Sequence, residues 1–140
     1  MWKLVVDAWN GTSDENTKQK DPSKVYDFEE MKELVQKRDP EIVLVDVREP
    51  KEFESYSIPG SVNAPFRTHP EGFGLDDKEF ENTFGFHKPS KDKKLVFFCA
   101  SGRRAASAEG IAEKHGYHNV ALYPGSVNEW LSRGGDKLDF

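Results

Sequence analysis

The sequence predicts a single α/β domain, a central and mainly parallel sheet of about five strands with helices on both faces. Three observations predict it. The runs Ile42-Val43-Leu44-Val45, Leu95-Val96-Phe97-Phe98 and Val120-Ala121-Leu122-Tyr123 are apolar on both faces, as strands buried inside a parallel sheet must be. Segments with helix-start signals and helical periodicity alternate with these runs. The length, 140 residues, suits one such domain, and 10 Phe, 4 Tyr and 3 Trp supply a core for it.

Taken in order, residues 1–24 read as a lead-in to a domain spanning 25–140. Residues 10–24 are almost wholly polar, as in a loop. Ahead of them Trp2, Leu4, Val5, Val6 and Trp9 form an apolar patch that either packs back on the domain or serves as a docking segment. Asp27 and Glu30 have the spacing of a reciprocal capping box, with Tyr26 and Met31 as the staple. Phe28, Met31, Leu34 and Val35 then share one helical face until Asp39-Pro40 ends the helix. After the 42–45 strand, Pro50 suits the first turn of a short helix reaching Tyr56. Ile58-Pro59-Gly60 reads as a turn and residues 61–64 as a short strand. Within 65–94 the pattern is weak, apart from a helix over 76–84 with Leu75, Phe80 and Phe84 facing inward. A helix over about 104–115 stops at Gly116. Ser126 and Glu129 are spaced as a capping box for a last helix through Arg133, with Trp130 in the core.

Composition excludes several functions. A net charge of −5 and a pI near 5.4 disfavour nucleic acid or an anionic membrane as partner. The only cysteine is Cys99, so neither an intrachain disulfide nor a cysteine-based zinc cluster can form. A lone thiol fits a reducing compartment, the cytoplasm first and the mitochondrion second. No apolar stretch reaches the length of a membrane span, and the N-terminus does not read as a leader peptide. His69, His87, His115 and His118 show no metal-ligand spacing, although His118 could approach the active face.

The chemistry concentrates in Cys99-Ala100-Ser101-Gly102-Arg103-Arg104, between a buried strand and a helix. In a parallel α/β sheet, ligands bind beyond the carboxyl ends of strands, where both Cys99 and Asp46 fall. Gly102 lets the loop curl so that backbone N–H groups face the sulfur. The helix N-terminus and the two arginines add positive potential, and together they favour thiolate over thiol. The same cradle would receive an anion. Taken alone, a strand-end cysteine is more often a small core residue. Two arginines at a helix start oppose the helix dipole, which an anion between them and the amides would explain.

These residues resemble the rhodanese family, whose active loop runs Cys-x-x-Gly-x-Arg. Val45-Asp46-Val47-Arg48-Glu49 with Ile58-Pro59-Gly60-Ser61 is similar to the family's strand-end motif and its following turn. Tyr123-Pro124-Gly125-Ser126 with Trp130 resembles its late Gly-to-Trp signature, so the likeness covers about residues 25–135. Leu95-Val96-Phe97-Phe98-Cys99 also resembles the small stand-alone thiosulfate sulfurtransferases.

The resemblance implies a thiosulfate sulfurtransferase of rhodanese-like fold. Cys99 would be the nucleophile and persulfide carrier. Arg104, helped by Arg103, would bind the anionic end of the donor, and the amides from Ala100 through Ser101 and Gly102 to Arg104 would hold the sulfur. Asp46 and Arg48 would stand behind the loop, although Asp46 acting only as partner of Arg48 or as a cap is an equal reading. The acceptor would be a small thiol such as glutathione, a thioredoxin-like protein or cyanide. No metal or organic cofactor is implied, and a monomer or weak dimer is expected. Ser57 departs from the family, where His commonly precedes the Ile-Pro-Gly turn.

Two other functions remain open at this level. Phosphatases and arsenate reductases on the same fold place five residues between Cys and Arg. Here four separate Cys99 from Arg104, and Phe98 stands where those enzymes commonly have His. A sulfur relay or interaction module for a protein partner, docking through Trp2 and Trp9, is the second.

Overall fold

The computed structural model describes residues 24–140. The expected lead-in with Trp2 and Trp9 therefore lies outside the described residues, apart from Lys24. Among the described residues, five strands form one sheet: β1 (Lys24–Val25), β2 (Ile42–Asp46), β3 (Val62–Asn63), β4 (Lys94–Phe98) and β5 (Val120–Leu122). Their spatial order is β1-β5-β4-β2-β3, and every pairing is parallel. The sequence revealed β2, β4 and β5 by their apolar runs and β3 only as a short strand after the 58–60 turn. β1 escaped it because two exposed edge residues carry no such pattern, although Tyr26 N–H continues the pairing onto the Leu122 carbonyl (2.9 Å).

The described residues also form five α-helices: α1 (Phe28–Lys37), α2 (Pro50–Ser55), α3 (Asp77–Phe84), α4 (Arg103–Lys114) and α5 (Ser126–Ser132). Alternation along each strand feeds two cores. On one face Leu44, Val96, Phe98 and Ala121 pack with Met31 and Val35 of α1 and Val127 and Trp130 of α5. On the other, Val45, Leu95, Phe97 and Val120 meet Phe80 of α3 and Ala105, Ala108 and Ala112 of α4. The three alanines let α4 lie close on the sheet.

Local signals explain most helix ends. Asp27 Oδ1 accepts the Glu30 N–H (2.8 Å), and Glu30 Oε1 accepts the Asp27 N–H (3.0 Å), completing the expected box. Asp76 caps α3 by accepting the Glu79 N–H (2.8 Å). The Ser126 box does not form. Gly125 is the N-cap of α5 without a side-chain bond, because the Ser126 hydroxyl is engaged elsewhere.

Chain order also locates the site. From β4 the chain moves outward to β5, whereas from β2 it moves the opposite way to β3. The connections diverge between neighbouring strands β2 and β4, the switch point beyond whose carboxyl ends such sheets bind ligands. Asp46 pairs in register with Phe98, so Cys99 follows at that edge beside residue 47.

Candidate active site

Cys99 follows β4 directly and is buried at 1% exposure. Its sulfur accepts the Gly102 N–H at 3.0 Å. Gly102 is the N-cap of α4 and takes φ +101°, a conformation glycine adopts without a steric penalty. A Cβ there would sit 2.6 Å from the Pro124 carbonyl oxygen, so close approach also demands glycine. The loop thus curls at Gly102, and of the amides expected to face the sulfur the Gly102 N–H is the one hydrogen-bonded to it, with the N-terminus of α4 behind.

The segment before α5 holds the loop from the other side. Cys99 N–H donates to Ser126 Oγ (3.0 Å), and the hydroxyl donates to the Tyr123 carbonyl (3.0 Å). Val127 N–H donates to the Cys99 carbonyl (2.9 Å) and Asn128 N–H to the Ala100 carbonyl (3.0 Å). Successive groups at the start of α5 therefore take both backbone polar groups of the nucleophile candidate.

The two arginines separate. Arg103 is exposed, whereas Arg104 lies half-buried against Glu52 of α2. Arg104 Nη1 donates to Glu52 Oε1 (3.0 Å) and Nη2 to Oε2 (3.2 Å), a two-pronged pair. That pair is the main cause holding the Glu52 carboxyl at about 2, against partial burial and with help from the Glu49 N–H and the charge of Arg48. Arg104 is pushed above the ordinary guanidinium value chiefly by the same bond, against partial burial. Two of the five guanidinium N–H groups are spent on Glu52. Glu49 Oε1 accepts the Thr68 hydroxyl, while Glu49 Oε2 is buried without a hydrogen-bond partner.

Asp46 and Arg48 form a closed unit at the carboxyl end of β2. Asp46 is fully buried, and its carboxylate accepts the Arg48 backbone N–H (2.9 Å), Nε–H (3.1 Å to each oxygen) and Nη2–H (2.8 Å). Arg48 Nη2 also donates to the Tyr56 carbonyl (2.6 Å), and Tyr56 OH accepts the Trp130 indole N–H (2.9 Å). These bonds match the reading of Asp46 as a partner for Arg48.

Of the four histidines, His118 precedes β5, at the amino end of the sheet and opposite to the Cys99 edge. It does not approach the active face. His115 instead pairs with Glu71 (2.7 Å), and His87 with Glu81 (3.1 Å). No helix among the described residues is long and apolar enough to cross a membrane.

Sequence reasoning missed Glu52 and the use of Ser126. Glu52 is 52 positions from Arg104 and gives no local signal that they meet. Ser126 carries the signal of a cap, which masks its bond to Cys99.

A model of the rhodanese-like domain matches residues 27–133. The chain belongs to the rhodanese family. Thiosulfate:glutathione sulfurtransferase from Saccharomyces cerevisiae is 52% identical over 141 residues, covering 99% of this chain and 99% of that protein. Thiosulfate sulfurtransferase RDL2, mitochondrial, from the same organism is 46% identical over 112 residues, covering 80% of this chain and 75% of its own length. The atomic-resolution structure of an uncharacterized Saccharomyces cerevisiae protein superposes with a TM-score of 0.83 at 52% identity, covering 86% of this chain and 100% of that one. The matched span agrees with the rhodanese resemblance read from the sequence over about residues 25–135.

Proposed function

We propose that this chain is a thiosulfate sulfurtransferase that carries sulfane sulfur as a persulfide on Cys99 and passes it to glutathione. The observation that carries the reading is the Cys99 sulfur at the carboxyl edge of β4, under the Gly102 amide and the N-terminus of α4. A sulfur anion gains there from fixed N–H dipoles that need no rearrangement as charge develops.

The steps follow from those groups. The Cys99 thiolate attacks the outer sulfur of thiosulfate, the sulfur–sulfur bond breaks, and its electron pair leaves with sulfite. The terminal sulfur of the new persulfide carries the charge the loop amides favour. A glutathione thiolate then attacks that sulfur and leaves as glutathione persulfide, restoring the Cys99 thiolate. Arg104 binds the sulfonate oxygens of thiosulfate with the N–H groups Glu52 does not use, and exposed Arg103 adds attraction at the mouth. Ala100 and Ser101 contribute backbone to the cradle. Asp46 and Arg48 stabilise the β2 end and touch neither substrate.

The relatives named above support donor and acceptor, since one is called thiosulfate:glutathione sulfurtransferase and another thiosulfate sulfurtransferase. The spacing of four residues between Cys99 and Arg104 favours sulfur over phosphoryl transfer. A reducing compartment keeps the thiol active, and the cytoplasm or the mitochondrion provides one; the name of the second relative includes the latter.

The test is turnover of thiosulfate with glutathione or cyanide, following sulfite release and thiocyanate, with Cys99→Ser beside the wild type. Turnover in the wild type and none in Cys99→Ser is the expected result. Equal turnover in both, or none in either, overturns the reading.

A further inference from the structure

We propose that Ser126 is a positioning residue for the Cys99 nucleophile, its hydroxyl fixing the Cys99 backbone so that the sulfur meets the Gly102 amide. The inference rests on the reading of Cys99 as nucleophile. Ser126 is fully buried and holds φ +60°, in the left-handed region where a side chain is disfavoured. Glycine would take that backbone without the steric penalty. What serine offers in return is its hydroxyl.

The hydroxyl bridges two strand ends. It accepts the Cys99 N–H and donates to the Tyr123 carbonyl, each at 3.0 Å, while Tyr123 N–H donates to the Phe97 carbonyl at 3.0 Å. Its neighbour Val127 holds the Cys99 carbonyl through a backbone N–H (2.9 Å). Cys99 is thereby gripped at both its N–H and its C=O, and its remaining freedom is the side-chain torsion that carries Sγ to the Gly102 N–H. The Cys99 N–H is buried, so losing the hydroxyl leaves a donor unpaired beside the sulfur. The Val127 and Asn128 amide bonds do not use the hydroxyl, so α5 stays attached in its absence.

Ser126→Gly and Ser126→Ala separate this role from a purely structural one. Both remove the hydroxyl. Glycine relieves the left-handed strain and alanine keeps it. Val35→Ala, a core change on α1, serves as a control for lost stability alone. Three quantities are read: thiosulfate kcat and KM per folded molecule, the alkylation rate of Cys99 by neutral iodoacetamide and by anionic iodoacetate, and the thermal midpoint.

Both Ser126 variants should lower kcat by about tenfold with KM for thiosulfate within about twofold, since a misplaced nucleophile lowers the chemical step and not anion binding. The two alkylation rates should fall together, because Arg104 still attracts the anion. Val35→Ala should lower the midpoint and leave the other readings unchanged. The proposal is overturned if the Ser126 variants lose only thermal stability, as Val35→Ala does, or if only one of the two variants loses kcat. Failure of Cys99→Ser to abolish turnover would instead remove the nucleophile assignment itself, a separate outcome.

Discussion

Two strands end side by side at the same edge of the sheet and use their polar groups in opposite ways. At the end of β2, Asp46 and Arg48 close on each other, with nearly every charge-bearing atom bonded inside the protein. At the end of β4, the Cys99 sulfur meets the Gly102 amide, and Arg104 on the following helix spends only two of its N–H groups on Glu52. The first arrangement satisfies itself and makes scaffold. The second leaves an N–H and a guanidinium beside the sulfur proposed as nucleophile. A buried charged residue at a strand end is therefore weak evidence of catalysis until its partners are known.

Breaking each end in turn should give different kinds of loss. Gly102→Ala places a Cβ 2.6 Å from the Pro124 carbonyl oxygen and should lower sulfur-transfer turnover by roughly 100-fold, as the loop is displaced on the scale of an ångström. Steady-state kinetics on the folded variant would show it. Asp46→Asn should instead cost about 3–5 kcal/mol of stability, because Arg48 is left as a buried charge without its counter-ion. Urea unfolding measures that cost, and turnover per folded molecule should be preserved. A loss of turnover without a loss of stability would place Asp46 in the chemistry and erase the contrast between the strand ends.

Arg104 sharpens the contrast, since it belongs to the active end yet has a scaffold partner. Arg104→Lys keeps the charge and loses the planar fork, so thiosulfate KM should rise about tenfold with a smaller change in kcat. The smallest effect should come from Glu52, whose side chain is 38% exposed and whose pairing is therefore screened to about 1 kcal/mol or less. Its carboxyl titrates near 2 in the folded chain against an ordinary 4.5, so the unfolded chain binds the proton more readily. The stabilisation is full above pH 4.5 and is lost as pH falls through about 2. Glu52→Gln should flatten that part of the acid-stability curve while leaving stability at neutral pH within about 1 kcal/mol of wild type.

What the sequence made legible follows the same physics. Strands β2, β4 and β5 announce themselves because burial on both faces requires unbroken apolar runs, and Asp27 with Glu30 announces α1 because capping is local. The Cys99 loop was legible for a similar reason, as its glycine and arginines lie within five positions of the thiol. Contacts between distant segments were not. Nothing local states that Glu52 takes Arg104, or that Lys24–Val25 adds an edge strand through pairing with Ala121 and Leu122. Ser126 shows a subtler failure: serine followed by Glu129 carries the pattern of a cap, and the chain uses its hydroxyl to hold Cys99.

The central claim is that Cys99, and no other group, holds the transferred sulfur between the two half-reactions. Its most direct test is intact mass spectrometry of the protein mixed with thiosulfate alone, before and after addition of glutathione or cyanide. Wild type should gain the mass of one sulfur atom and lose it to the acceptor, with Gly102→Ala labelled slowly and Cys99→Ser never labelled. A wild type that turns over without any added sulfur, or a Cys99→Ser variant that still takes it up, would contradict the account.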